Sequence, residues 1–133
     1  MKNTTYDEIY TTFINRCKVD DLELPQNDEQ IYNFIHGAIM DYNNRLQEKL
    51  DWDDTSETVS RELTVDDLLL IAHYLRLTFL KNQLIYFTNT WQPFTKDIGL
   101  KNYQAQLRSL DSLILFEEKK IESIIQNRAD DFL

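Results

Sequence analysis

The order of apolar and polar positions along the chain predicts four helices, and the longest apolar run is the third. This run covers residues 64–89, contains no Gly or Pro, and predicts a helix over 65–88. Thr64 stands at its N-cap position, and Asp67 follows at the spacing of a capping box. Apolar side chains recur on most sides of the segment, which is typical of a helix that others surround. We therefore expect it to be the central helix of a bundle.

Three other segments have apolar residues at intervals of three and four, as amphipathic helices do. They predict helices over residues 5–18, 28–50 and 100–128. Thr5 and Glu8 have capping-box spacing at the start of the first. The chain is therefore expected to be an all-α bundle of about four helices around the central one.

The second and the last predicted helices each contain one residue that breaks the pattern. The second starts after Asn27, a good N-cap, and contains Gly37 at a cost of about 1 kcal/mol relative to Ala. We expect Gly37 to allow the close approach of another helix. In the last helix, Glu117 is the one polar residue within the apolar stripe.

The two segments that flank the central helix carry large aromatic residues. Residues 51–64 begin as an acidic stretch with Trp52, and residues 58–63 alternate weakly, as a short strand would. Trp52 either covers the core or is an exposed contact. After the central helix, Trp91, Pro93 and Phe94 lie in a connection whose aromatic groups either enter the core or meet a partner.

Length and composition limit the class of protein. The 133 residues suffice for one domain with a real core, so residues 1–133 are interpreted as a single helical domain. Only 2 Gly and 2 Pro are present, which disfavours a sandwich or barrel with many tight turns. The charged and amide residues within the central run, such as Arg76 and Lys81, disfavour a membrane span.

Charge and cysteine content also exclude some functions. The net charge of −9 disfavours specific nucleic-acid binding, which requires a basic face. It suits solubility or docking to a basic partner. Cys17 is the only cysteine, so no intrachain disulfide and no cysteine-based zinc site is possible. The first residues lack the apolar core of a signal peptide, and we expect an intracellular protein.

No pattern of residues indicates catalysis. His36 and His73 lie on different predicted helices, and neither has a further ligand at metal-binding spacing. The pair Asp66–Asp67 is interpreted as first-turn acids that complement the helix dipole. The acidic residues of 51–54 lack the Gly and terminal Glu of a calcium loop. We therefore expect a binding protein, with no enzymatic activity, cofactor or metal.

The second half of the chain resembles a known family in the layout of its helices. Residues 62–67, Glu-Leu-Thr-Val-Asp-Asp, lead into the apolar run 68–87, while 94–97 (Phe-Thr-Lys-Asp) and 101–105 (Lys-Asn-Tyr-Gln-Ala) lead into the last helix. This layout is similar to that of the small helical head–tail connector (adaptor or head-completion) proteins of long-tailed bacteriophages. Gln104 stands where that family has Ser.

The resemblance implies a structural protein of the virion neck, present in the host cytoplasm during assembly. Its subunits would form a homo-oligomeric ring, a dodecamer, between the portal protein and the next neck or tail-completion protein. The ring would extend the DNA channel without gripping the DNA. Trp91, Pro93, Phe94 and Trp52 are the residues that we expect to contact partners.

Two other functions remain open at this stage. A small acidic phage regulator or inhibitor would bind a basic host protein, and would require carboxylates on one exposed face. A helical enzyme would require a pocket with converging polar groups, which no cluster in the sequence predicts.

Overall fold

The computed structural model describes residues 2–17, 27–91 and 99–130. Within these ranges the chain forms four helices and one small antiparallel sheet. The elements, in order, are α1 (Tyr6–Cys17), α2 (Asp28–Leu46), β1 (Trp52–Asp53), β2 (Thr58–Val59), α3 (Val65–Trp91) and α4 (Leu100–Asp130). The helices pack against one another, so the prediction of an all-α bundle is confirmed.

Helix α3 is the centre of the bundle, as its apolar pattern predicts. Helices α1, α2 and α4 each pack against α3 more extensively than against one another. Consecutive residues 70–75 of α3 are all buried, which is possible only where neighbours cover every side of a helix. The core is therefore built around the N-terminal half of α3.

The helix starts are fixed by the capping residues that the sequence contains. The amide of Glu8 donates to Oγ1 of Thr5, and the amide of Thr5 donates to Oε2 of Glu8, both at 3.1 Å. Asn27 caps α2 by accepting from the amide of Gln30 at 2.9 Å. These side chains satisfy amide groups that have no partner within the first turn of a helix.

Helix α2 ends at Leu46, so its predicted extension to residue 50 is wrong. Gln47 adopts a left-handed conformation with φ 56° and ψ 39°, and its amide donates to the carbonyl of Asn43. The side chain of Asn43 also bonds both the amide and the carbonyl of Leu50, each at 2.9 Å. Asn43 therefore turns the chain back and buries Leu50.

The short strand predicted within 58–63 is only part of a hairpin that begins at Trp52. Trp52 pairs with Val59 and Asp53 with Thr58. The N-terminal segment lies along the other side of β2, where the amide of Val59 donates to the carbonyl of Thr4 at 3.0 Å. Thr4 is buried, and its Oγ1 accepts from the amide of Leu63 at 2.8 Å. The hairpin is thus fixed to the start of the chain.

The expectation that Gly37 permits close helix packing is wrong. A Cβ atom built at Gly37 would have no heavy atom within 4 Å. The missing side chain therefore leaves open space and serves no close approach of helices.

Candidate partner-binding surface

The hairpin presents an acidic surface with one aromatic side chain. We use the name hairpin surface for Asp51, Trp52, Asp53, Asp54 and Glu57, all of which are exposed. Glu57 has a positive φ of 55°, which closes the turn between the two strands. Several exposed carboxylates and one exposed aromatic group in a single hairpin suit a partner with basic and apolar groups.

The sequence left open whether Trp52 covers the core or is an exposed contact, and the structure shows that it is both packed and partly exposed. Its ring stacks on the imidazole of His36 in α2, with centroids 4.4 Å apart and planes inclined by 13°. It nevertheless keeps 37 % of its surface exposed. Trp52 is therefore an indole held in a fixed orientation by α2, with part of its surface available for contact.

Asp54 connects the hairpin to both α1 and α2. Its Oδ1 accepts from the hydroxyl of Tyr6 and lies 2.7 Å from Nε2 of His36. The hydrogen bond from Tyr6, followed by that from His36, holds the pKa of Asp54 below its usual value. Burial, reinforced by Asp54, raises the pKa of the Tyr6 phenol. The carboxylate is thus stabilised in its charged form.

Arg61 fixes the other end of the hairpin to α2 and α3. Its Nη2 donates to the hydroxyl of Tyr42 at 3.0 Å, and its Nη1 lies 3.5 Å from Oδ2 of Asp67. The sequence suggested only that Asp67 complements the helix dipole. Asp67 is buried, and its contact with Arg61 is a further role. Glu48 adds a longer contact, 3.9 Å from Nη2 of Arg61.

The second group of predicted contact residues comes at and after the end of α3 in the sequence. Trp91 is the last residue of α3, and its side chain lies outside the described part of the structure, as do Pro93 and Phe94. Among the described residues nearest to them in the sequence, Phe87 stacks on Tyr103, with centroids 5.2 Å apart. The prediction that Trp91, Pro93 and Phe94 contact a partner therefore stays a prediction.

A buried ionic cluster joins α3 to α4. Glu117 is buried in the apolar stripe of α4, where its Oε1 bonds Nδ1 of His73 and its Oε2 lies 3.3 Å from Nε of Arg76. Nη1 of Arg76 donates to the carbonyl of Cys17, the last residue of α1. The sequence signal for this cluster was a Glu within an apolar stripe, but its partners could not be identified from spacing.

The cluster is enclosed, which makes it a structural feature and not a contact surface. His73 and Glu117 are each less than a tenth exposed. Burial raises the pKa of the neighbouring Cys17 thiol to about 12, with the charge of Glu117 adding to the shift. The cluster therefore joins the interiors of α3 and α4 to the end of α1.

The described residues offer no obvious metal site or membrane segment. No group of three or more His, Cys, Asp or Glu side chains among them could hold a metal ion. None of the described helices combines the length and the apolar character needed to cross a bilayer.

Comparison with known proteins relates the chain to prophages. A family model described as YomZ prophage protein matches residues 1–130. The SPbeta prophage-derived uncharacterized protein YomZ of Bacillus subtilis (strain 168) is 48 % identical over 130 residues, which are 98 % of this chain and 99 % of the relative. No solved structure matches. The phage origin that the resemblance implied is confirmed, and neither match indicates a connector role.

Proposed function

The chain belongs to the YomZ prophage protein family, and from this premise we propose that it is a head–tail connector subunit of the phage particle. Its subunits form a ring between the portal protein and the next neck or tail protein. DNA passes through the ring without specific binding. The protein is made in the host cytoplasm, becomes part of the virion neck and has no enzymatic activity.

The observation that carries this proposal is the arrangement of contact surfaces at the two ends of one long helix. The hairpin surface lies beside the start of α3, where Leu63 bonds Thr4. At the other end, α3 and α4 run on beyond the core and expose Ile85 and Tyr86. The 27 residues of α3 span about 40 Å. A ring subunit must meet one neighbour on each side, and this arrangement supplies one surface for each.

The hairpin surface also favours the second candidate function, an acidic phage regulator that binds a basic host protein. Four of its five residues are carboxylates, and they share one exposed region. Such an inhibitor would act in the host cell and would be absent from finished particles. The presence of the chain in the virion therefore separates the two functions.

The experiment that tests the proposal is to locate the chain in purified particles. Induced phage is purified, the chain is sought by mass spectrometry, and the neck is mapped by electron microscopy with a tag on the C-terminus of the chain. A ring of tagged subunits beneath the portal is the expected result. Absence of the chain from complete particles would overturn the connector function and leave the inhibitor.

A pair of variants links this location to the hairpin surface. Trp52→Ala removes the exposed indole, and Leu113→Ala removes a side chain of α4 with a similar exposed fraction, 42 % against 37 %. We expect Trp52→Ala to reduce the incorporation of the chain into particles and Leu113→Ala to leave it unchanged. Equal incorporation of both variants would contradict a contact role for Trp52.

A further inference from the structure

The charges of the chain are separated along α3. Residues 81–91 and 100–110 contain three basic residues and no acidic residue, although the whole chain has 23 acidic and 14 basic residues. In contrast, the hairpin surface contains four carboxylates and no basic residue. The two regions lie near opposite ends of α3, about 30 Å apart from Val65 to Ile85.

The basic region is a two-helix arm. We define the arm as residues 81–91 of α3 and 100–110 of α4. Among its described side chains only Tyr103 is buried, whereas most residues of α3 from 70 to 80 are buried. The stack of Phe87 on Tyr103 joins the two helices. The arm therefore extends beyond the part of α3 that the other helices enclose.

The exposed residues of the arm include basic and apolar ones. Lys81 and Ile85 of α3 and Lys101 and Arg108 of α4 are all exposed. Burial raises the pKa of Asp41 in α2, and the charge of Lys81 opposes this shift. Ile85 follows Lys81 by one turn and is 57 % exposed.

We propose that the basic side chains of this arm, Lys81, Lys101 and Arg108, bind the hairpin surface of a second copy of the chain. The carboxylates of the hairpin then meet the basic side chains of the arm, so the charges of the two surfaces are complementary. The inference deepens the ring proposed above and rests on it for its biological role.

The geometry determines the type of assembly. The two surfaces are different and lie far apart on one subunit, so their contact is head-to-tail. An associated pair then keeps one free hairpin surface and one free arm, and such a head-to-tail contact generates a ring if the rotation closes. If two copies instead associated through the same surface on each, like charges would face each other.

Charge reversal tests the contact. The arm variant is Lys101→Glu/Arg108→Glu, which leaves Lys81 beside Asp41 of its own chain. The hairpin variant is Asp51→Lys/Asp53→Lys, which leaves Asp54 bonded to Tyr6 and His36. Circular dichroism verifies that each variant is folded. Sedimentation velocity then measures the association of the full chain from micromolar to millimolar concentration at low salt.

The expected pattern is specific to a head-to-tail contact. Each variant alone should associate about 100-fold more weakly than the original chain, because like charges then face each other. A 1:1 mixture of the two variants should regain association, as should one chain with all four substitutions. Glu118→Lys/Lys119→Glu, a charge exchange on exposed residues outside both surfaces, should associate like the original chain.

Two results would overturn the inference. The first is an absence of association in every sample at millimolar concentration. The second is an oligomer that persists unchanged in both variants. Its failure is distinct from failure of the connector function. If the subunits form a neck ring and neither charge reversal affects its assembly, only this contact is contradicted. If the chain associates head-to-tail but is missing from particles, only the connector function is contradicted.

Discussion

Glu117 of α4 and Arg76 of α3 face each other inside the bundle, with Oε2 of the carboxylate 3.3 Å from Nε of the guanidinium. His73, one turn before Arg76, bonds the other carboxylate oxygen. A buried charge of this kind is tolerated because its partners remain with it, and the loss of one partner leaves the others uncompensated. The cluster therefore couples α3 to α4 more strongly than an exposed ion pair would.

Replacement of Glu117 should be strongly destabilising. Glu117→Ala leaves His73 and Arg76 without their shared acceptor, and we expect the free energy of unfolding to fall by about 3–5 kcal/mol. The next residue, Glu118, is exposed and provides a matched control. Glu118→Ala should change the free energy by no more than about 0.5 kcal/mol. Urea unfolding followed by circular dichroism measures both, and equal midpoints would contradict a structural role for the cluster.

Asp54 should make the stability of the protein sensitive to acid. Its pKa is lowered in the folded state by Tyr6 and His36, so the folded state binds fewer protons than the unfolded state. The contribution of this carboxylate to the free energy of unfolding is therefore fully present above the ordinary pKa of 3.8. It is lost as the pH falls through the lower pKa of the folded state. The side chain is 43 % exposed, which limits the contribution to about 1 kcal/mol.

The measurement compares Asp54→Asn with the original chain at pH 7 and pH 3. The original chain should be the more stable at pH 7, and the difference should shrink at pH 3. Tyr6→Phe, alone and combined with Asp54→Asn, completes a double-mutant cycle that isolates the hydrogen bond between the two residues. A difference in stability that does not depend on pH would refute the assignment.

The sequence predicted the features that are local and missed those that join distant segments. The helix starts followed from residues three apart, such as Thr5 and Glu8 or Asn27 and Gln30, and the central position of α3 followed from its apolar surroundings. The end of α2 was missed because it depends on Asn43, whose side chain bonds Leu50. A polar side chain that bonds the backbone seven residues later leaves no periodic signal.

The same limit applies to the candidate contact surface. Trp52 was identified as a candidate because it is an aromatic residue within an acidic stretch. Its support by His36, and the link from Asp54 to Tyr6 48 residues earlier, depend on tertiary packing. The basic arm was equally hidden, since its basic residues are spread over two helices and only the pairing of α3 with α4 brings these helices together.

The thiol of Cys17 should be unreactive until the protein unfolds. Cys17 is 5 % exposed, and burial raises its pKa to about 12, so the thiolate that alkylating reagents attack is scarce at neutral pH. We expect iodoacetamide to modify Cys17 at a rate that follows global unfolding and rises steeply with urea. The control is Thr11→Cys in a Cys17→Ala background, since residue 11 is exposed on the same helix. Equal rates for the two thiols in the absence of urea would show that α1 detaches locally.

Gly37 and Gly99 should respond in opposite ways to replacement by Ala. Gly37 lies within α2, and a Cβ atom there meets nothing within 4 Å. Gly37→Ala should therefore stabilise the protein by up to about 1 kcal/mol, because Ala restricts the unfolded chain and favours the helix.

Gly99 precedes α4 with φ +85°, a conformation that L side chains rarely adopt, although its nearest neighbour, Nδ2 of Asn102, is 3.9 Å away. Gly99→Ala should therefore destabilise the protein by about 1–2 kcal/mol through backbone strain and not through collision. Thermal unfolding of both variants measures the effects, and a loss of stability in Gly37→Ala would show that α2 requires glycine for a reason other than space.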